Sequence, residues 1–137
     1  AGKKVYLALD SSLAITGTTL AVAVQPYHVH LMWNGEIPAS QRLLTLKFPI
    51  AVVFASGLSP SAGIARVAAT AQTDLDIQKN ASSVGTVRWA ASGTAATFIM
   101  SLQTTFAAGD ILEVFAPASP DATLANIGVT LAGLRSA

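Results

Sequence analysis

The chain has no cysteine and few charged residues, and both absences narrow what it can be. Without cysteine it has no disulfide, no thiolate nucleophile and no cysteine-ligated zinc. Charged residues make up 11% of its 137 positions, against about 25% in typical soluble proteins. Hydrophobic residues make up 52%. Because little charge is left to solvate the exterior, we expect part of that exterior to be covered by other subunits.

The charges it does have are balanced and scattered. Eight Lys and Arg residues against seven Asp and Glu residues give a net charge of +1, which lacks the basic footprint of a nucleic-acid-binding protein. Near the N-terminus, Lys3 and Lys4 precede an apolar run that Asp10 and several Ser and Thr residues interrupt. A signal peptide or a membrane-spanning helix needs an unbroken apolar stretch, so we expect neither, and no membrane insertion.

Short β-rich runs divided by turn-forming residues dominate the sequence, and no segment keeps helical periodicity for long. About eight to ten short strands of similar spacing predict one all-β domain, an antiparallel β-sandwich of jelly-roll type. We assign residues 1–26 to an N-terminal arm or attachment strand and 27–137 to the sandwich. The predicted strands are 4–9, 20–25, 27–33, 43–48, 51–54, 73–79, 85–90, 96–102, 111–116 and 127–131.

Residues 73–89 predict a hairpin with one apolar and one polar face. Aliphatic side chains alternate with carboxylates along 73–79, which places the carboxylates on the outer side of the strand. On the return strand, Trp89 falls on the apolar side and Arg88 on the polar side. A cross-strand pair would fix the register of the two strands, so we expect Arg88 to lie across from Asp76 or Gln78.

The C-terminal part predicts a compact loop between two strands. Gly109 and Asp110 predict a turn into strand 111–116, and Pro117 and Pro120 end that strand by removing backbone donors. We expect residues 121–126 to form one helical turn with Asp121 as its cap.

Short motifs follow one another through the C-terminal half: IQKN (77–80), GTVRW (85–89), FAAGD (106–110), AP (116–117), DATLANI (121–127) and LAG (131–133). Their order resembles a domain of tailed-bacteriophage and prophage virion proteins, which usually has glycine after the asparagine where this chain has Ala81. A two-residue type I′ turn needs positive φ at both central positions, so we expect a longer loop through Ser82 and Ser83. The resemblance implies a fold and a virion setting and carries no catalytic residues.

His28 and His30, the only histidines, fall on the same face of one predicted strand. A cupin-type metal site would add a glutamate at closer spacing than Glu36 and a third histidine, and the chain has neither. One alternative is an ordinary strand without a ligand. The other is a homotrimer whose His28 and His30 pairs meet at the axis and hold one transition-metal ion, as the resemblance to trimeric phage fibres implies. We expect no other cofactor.

Aromatic residues offer one candidate binding surface. Trp33 precedes Asn34 and Glu36 at a predicted turn, and a flat indole beside polar groups suits a sugar. Trp33, Asn34 and Glu36 are therefore candidates for contact with a host-surface glycan. Trp89 lies in step with the apolar face, so we place it in the core.

The sequence contains no nucleophile elbow, Walker loop or dinucleotide fingerprint. We therefore expect a non-enzymatic structural protein of a tailed-phage virion, made in the host cytoplasm, forming a homotrimer and contacting other virion proteins on the particle surface. The resemblance favours a fibre or tail-appendage module that binds the host surface. The alternatives are a capsid decoration or cement protein, which the shortness of the chain favours, and a carbohydrate-binding module.

Overall fold

A computed structural model describes residues 13–16, 19–22 and 24–136 of the chain. The predicted strand at 4–9 lies outside these residues, as does most of the predicted arm. The strands are β1 (Leu13–Thr16), β2 (Thr19–Val22), β3 (Val24–Glu36), β4 (Arg42–Lys47), β5 (Val52–Phe54), β6 (Ala62–Val67), β7 (Thr73–Lys79), β8 (Ser82–Trp89), β9 (Thr97–Ile99), β10 (Thr104–Phe106), β11 (Ile111–Phe115) and β12 (Ala125–Ser136), with one 3₁₀ turn at Ser56–Leu58.

Strands β3 to β12 form two antiparallel five-stranded sheets. Sheet I has the order β10-β5-β12-β3, and β6 pairs with β12 further along the edge that β5 occupies. Sheet II has the order β4-β11-β7-β8-β9. Two antiparallel sheets around one core confirm the predicted all-β sandwich, whereas its jelly-roll type stays a prediction. β1 and β2 form a separate hairpin, and β3 begins at Val24, within the predicted arm.

The core lies between the inner faces of the two sheets. In β7, Leu75 and Ile77 are buried while the carboxylates between them are half-buried, which is the alternation that the sequence predicts. Trp89 is fully buried, as predicted, and its indole N–H donates to the carbonyl of Thr94 at 3.2 Å. Phe106 packs between other phenylalanine rings, with centroid distances of 4.9 and 5.6 Å, and such aromatic contacts stabilise cores beyond the area they bury.

The β7–β8 hairpin corrects two predictions. Lys79 pairs with Ser82, so Asn80 and Ala81 alone make the turn, with φ angles of 48° and 69°. The predicted longer loop is therefore wrong, although an alanine occupies a left-handed position that normally favours glycine. Arg88 lies opposite Asp74 rather than Asp76 or Gln78, because the short turn and a bulge after Ile77 set a different register.

The segment before β12 corrects a third prediction. Residues 121–124 form a loop, and β12 begins at Ala125, so the helical turn expected at 121–126 is wrong. Asp121 nevertheless accepts hydrogen bonds from the backbone N–H groups of Thr123 at 2.9 Å and Leu124 at 3.1 Å, as a capping carboxylate does. The turn predicted at Gly109 and Asp110 is present, with a φ of 91° at the glycine.

Candidate functional site

Alternate residues of three neighbouring strands build the outward side of sheet I. In β3, Val29 and Leu31 are buried, so the residues between them face away from the core. Pairing across the sheet extends this alternation to β12 and β6. We call this surface outer face I; it consists of Pro26, His28, His30, Met32 and Asn34 of β3, Gly128, Thr130, Ala132 and Leu134 of β12, and Ala62, Ile64 and Arg66 of β6.

Outer face I exposes large apolar side chains. The exposed fractions are 78% for Met32, 49% for Ile64 and 46% for Leu134. Arg66 is the one permanently charged side chain among the described residues of this face. Removing apolar surface from water is worth about 25 cal/mol per Å², so a contact that covers these side chains would be favourable.

A trough runs along the middle of outer face I. The side chains of His30 and Met32 border it on one side and Ile64 on the other, with Gly128 and Thr130 in its floor, and its volume is about 450 Å³. The trough exists because β12, the central strand, has no side chain at position 128. Of the atoms in the described residues, a Cβ built there would come near only the Cγ2 of Ile64, at 3.9 Å.

Both histidines lie on outer face I, the shared face that the sequence predicts. His30 Nδ1 lies 3.1 Å from the Thr130 hydroxyl, and both imidazoles are exposed. No group of three His, Cys, Asp or Glu residues in the described ranges is close enough to hold a metal ion. One chain therefore offers at most two imidazole ligands, fewer than a tetrahedral site requires. The axial metal site stays a prediction.

The residues predicted to bind a glycan do not share a surface. Trp33 is half-buried against the core, and its indole N–H donates to the carbonyl of Glu36 at 3.1 Å. Asn34 points the opposite way, onto outer face I, and Glu36 is exposed at the end of β3. Tyr27 also turns inward, with its ring centroid 5.7 Å from that of Phe48. The glycan-binding role of Trp33, Asn34 and Glu36 stays a prediction.

The outward side of sheet II, which we call outer face II, is charged, and two of its carboxylates form ion pairs. Asp74 accepts two hydrogen bonds of 2.8 Å from the Arg88 guanidinium. These bonds are the main reason why the pKa of Asp74 is lowered. Glu113 accepts one from Arg42 at 3.0 Å. The face consists of Arg42, Thr45 and Lys47 of β4, Asp74, Asp76 and Gln78 of β7, Thr86 and Arg88 of β8, Thr97 and Ile99 of β9, and Ile111, Glu113 and Phe115 of β11.

Two motifs that are far apart in the sequence meet at the end of sheet II. The Asn80 amide donates to Asp110 Oδ1 at 3.0 Å, and its oxygen accepts from the N–H of Ile111 at 2.9 Å. Asp110 also accepts from the N–H of Ala107 at 2.8 Å and lies 3.5 Å from the Lys79 ammonium. The bonds from Asn80 and Ala107 lower the pKa of Asp110. IQKN and FAAGD therefore form one structural latch between two turns.

Asp121 joins two of the loops that lead from one sheet to the other, and only its capping role was predicted from the sequence. Besides its own loop, it binds the β6–β7 loop by accepting from the Thr70 hydroxyl at 2.6 Å and from the N–H of Ala71 at 2.8 Å. Hydrogen bonds from the Thr123 and Thr70 hydroxyls hold the pKa of Asp121 well below its usual range. The carboxylate serves the fold as a fixed acceptor.

No protein-family model matches the chain, and no curated protein or solved structure matches it significantly. Within the described ranges, no helix has the length and hydropathy of a membrane span. The structural class of the protein therefore rests on the fold and its surfaces. It is an antiparallel β-sandwich in which outer face II is charged and outer face I is nearly uncharged.

Proposed function

We propose that the chain is a non-enzymatic structural module of a tailed-phage virion, displayed on the particle as part of a fibre or tail appendage and assembled with copies of itself. The observation that carries the proposal is the chemistry of outer face I. Met32, Ile64 and Leu134 stay exposed there beside a single permanent charge in the described residues. Large exposed apolar patches on a soluble domain mark interaction sites.

The use of the carboxylates supports a structural role. Acid–base catalysis needs a group that exchanges a proton near the working pH. Asp74, Asp110 and Asp121 each have a lowered pKa because hydrogen bonds stabilise the ionised form. Asp76 accepts from Ser83 of β8, and Glu113 accepts from Arg42 and Thr45 of β4, so these groups too hold neighbouring strands together.

The latch between Asn80 and Asp110 supports the virion setting. The motifs that resemble the phage domain meet through these two side chains. Such a contact gives this Asn and this Asp a structural role, the joining of two turns that are distant in the sequence. The resemblance is therefore a resemblance of architecture, as expected for a module whose role is assembly.

Electron microscopy of the intact particle tests the proposal. We expect density that fits this sandwich in a tail fibre or tail appendage, with self-contacts between neighbouring copies. Density on the head shell instead would assign the chain to the alternative role, a capsid decoration protein. Absence of the chain from purified particles, checked by mass spectrometry, would contradict the proposal.

The N-terminal arm gives a second test. β3 lies at the edge of sheet I and pairs with β12 alone among the described strands, from Val24 onward. An edge strand accepts an added strand through its free backbone groups. Removing residues 1–22 leaves this pairing intact, so we expect a folded domain, by circular dichroism, that no longer joins particles. Normal incorporation of the shortened chain would contradict an attachment role for the arm.

A further inference from the structure

We infer that outer face I packs against a second copy of this chain, with the side chain of Met32 from one copy seated over the Gly128 trough of the other. This inference rests on one part of the proposed function, that copies of the chain associate with each other. It adds the surface through which they associate. Each copy supplies both a projecting side chain and a trough on the same face, so the contact is satisfied by the chain alone.

The distribution of charge points to protein rather than water as the neighbour of outer face I. The same domain places Asp74, Arg88 and Glu113 on outer face II, so it does solvate a sheet with ions where that sheet meets water. On outer face I the centre is Met32, Gly128 and Ile64. Interface cores are depleted of charge, as this face is, and methionine is among the residues that they favour.

The glycine at position 128 is the second, independent observation. Glycine in a strand interior weakens the strand, and it often marks a place where another chain comes close. Among the described residues nothing requires it: a Cβ at 128 would meet only the Cγ2 of Ile64 at 3.9 Å, an ordinary contact. Gly133 on the same strand is different, because a Cβ there would lie 2.9 Å from atoms of Phe54 and Val52. The described part of the chain thus leaves the space above Gly128 open.

The size of the face fits a second copy. β12 has 12 residues, and at roughly 3.4 Å per residue it is about 40 Å long. β3 runs beside β12 over its full length, whereas β6 has 6 residues and covers about 20 Å of it. At about 4.8 Å per strand the flat area is about 480 Å², before side-chain relief is added, and specific interfaces begin at roughly 600 Å² per partner.

Sedimentation equilibrium of the full chain tests the inference with three variants. Gly128→Arg fills the trough from a position where an added Cβ meets no described atom closer than 3.9 Å, and Met32→Lys places a charge on the side chain that is 78% exposed. We expect each to weaken self-association by about 100-fold or more. Ile99→Arg, the control, puts the same arginine on outer face II, where Ile99 is 40% exposed, and should assemble like the wild type. Thermal unfolding of dilute samples confirms that each variant folds.

The outcomes separate this inference from the proposed function. If Gly128→Arg and Met32→Lys assemble like the wild type, the interface is elsewhere and the inference is overturned, while a structural role in the virion stands. If the wild type is monomeric at every concentration, the inference is overturned as well. A monomer that still enters particles through outer face I would make a different virion protein its partner.

Discussion

Outer faces I and II are built by the same strand alternation, yet they differ in charge: outer face II carries several charged side chains, and outer face I carries one permanent charge among the described residues. Outer face II holds the pairs Asp74–Arg88 and Arg42–Glu113, which are partly solvated. Outer face I holds Met32, whose side chain is among the most exposed of the large apolar ones. Because alternation decides only which residues face outward, the choice of those residues reports what lies outside. The charged side chains of outer face II suit contact with water, and for outer face I we propose a sister copy.

The largest expected effect compares the two sides of sheet I at two glycines of β12. We expect Gly133→Ala to lower the free energy of unfolding by about 1–3 kcal/mol, because the new Cβ overpacks the core. Its distances to Phe54, Val52 and the Tyr27 carbonyl would be 2.9, 2.9 and 3.0 Å. Urea unfolding at a concentration that keeps the chain monomeric measures this loss.

Gly128→Ala is the matched control for that measurement. Its Cβ points into the open trough, so we expect a change within about 0.5 kcal/mol. A loss at position 128 as large as that at 133 would mean that the trough is closed in the single chain, and the contrast between the two sides of sheet I would be lost.

The next effect concerns Asp121, which joins the β6–β7 loop to the loop before β12. We expect Asp121→Asn to destabilise the fold, because the amide presents an N–H group to donors such as the Thr70 hydroxyl and the Ala71 N–H. The folded pKa of Asp121 is lowered, so its stabilising effect is complete above the unfolded value of about 3.9 and is lost as the pH falls below it.

Unfolding measured from pH 7 to pH 2 checks this assignment. The gap in stability between the wild type and Asp121→Asn should be constant above about pH 5 and shrink in acid. Asp74 and Asp110 titrate in both proteins and cancel in the difference. A gap that is independent of pH would contradict the assignment of Asp121 as an ionised acceptor.

A smaller effect, of opposite sign, is expected in the hairpin of sheet II. Ala81 has a φ of 69°, a conformation that costs a residue with a Cβ roughly 1–2 kcal/mol. Glycine avoids this strain, but it loses more backbone entropy on folding, which cancels part of the gain. We expect Ala81→Gly to raise the free energy of unfolding by about 0.5–1 kcal/mol. Chemical denaturation measures it, and a loss of stability would show that the alanine methyl makes a contact that outweighs the strain.

The smallest effect is expected on outer face II itself. Asp74 and Arg88 are both more than a third exposed, so their pairing is screened by solvent and salt. We expect Asp74→Ala to lower the melting temperature slightly, by less than Gly133→Ala does, and the difference from wild type to shrink at 1 M NaCl. The same small difference at every salt concentration would mean that packing, rather than charge, holds this pair.

Strand positions were predictable wherever apolar and polar residues alternate. The bounds of β7 match the prediction because Leu75 and Ile77 are flanked by carboxylates. β6 was missed because in AGIARV only Ala65 is buried, so no apolar alternation marks it. Backbone pairing with β12 makes this segment a strand although its own sequence has no strand pattern. Ala81 was misjudged because the latch from Asn80 to Ile111 outweighs a local preference for glycine.

The candidate site was predictable only in part. That His28 and His30 share a face follows from their spacing. The same alternation, applied from Val29 and Leu31, also places Trp33 on the inner side, and this signal was available in the sequence. The trough could not be predicted from the sequence, because it depends on the register between two strands that are neighbours in the sheet but far apart in the sequence, such as those of His30 and Thr130.

Peroxide oxidation of the two methionines tests the central claim most directly, because Met32 is 78% exposed in the single chain and Met100 is 3% exposed. Exposed methionines oxidise readily to the sulfoxide. If outer face I packs against a sister copy, Met32 will oxidise as slowly as Met100 in the assembled protein and rapidly on dilution or in Gly128→Arg. Met32 oxidising as fast in the assembled protein as in the dilute monomer would contradict the account.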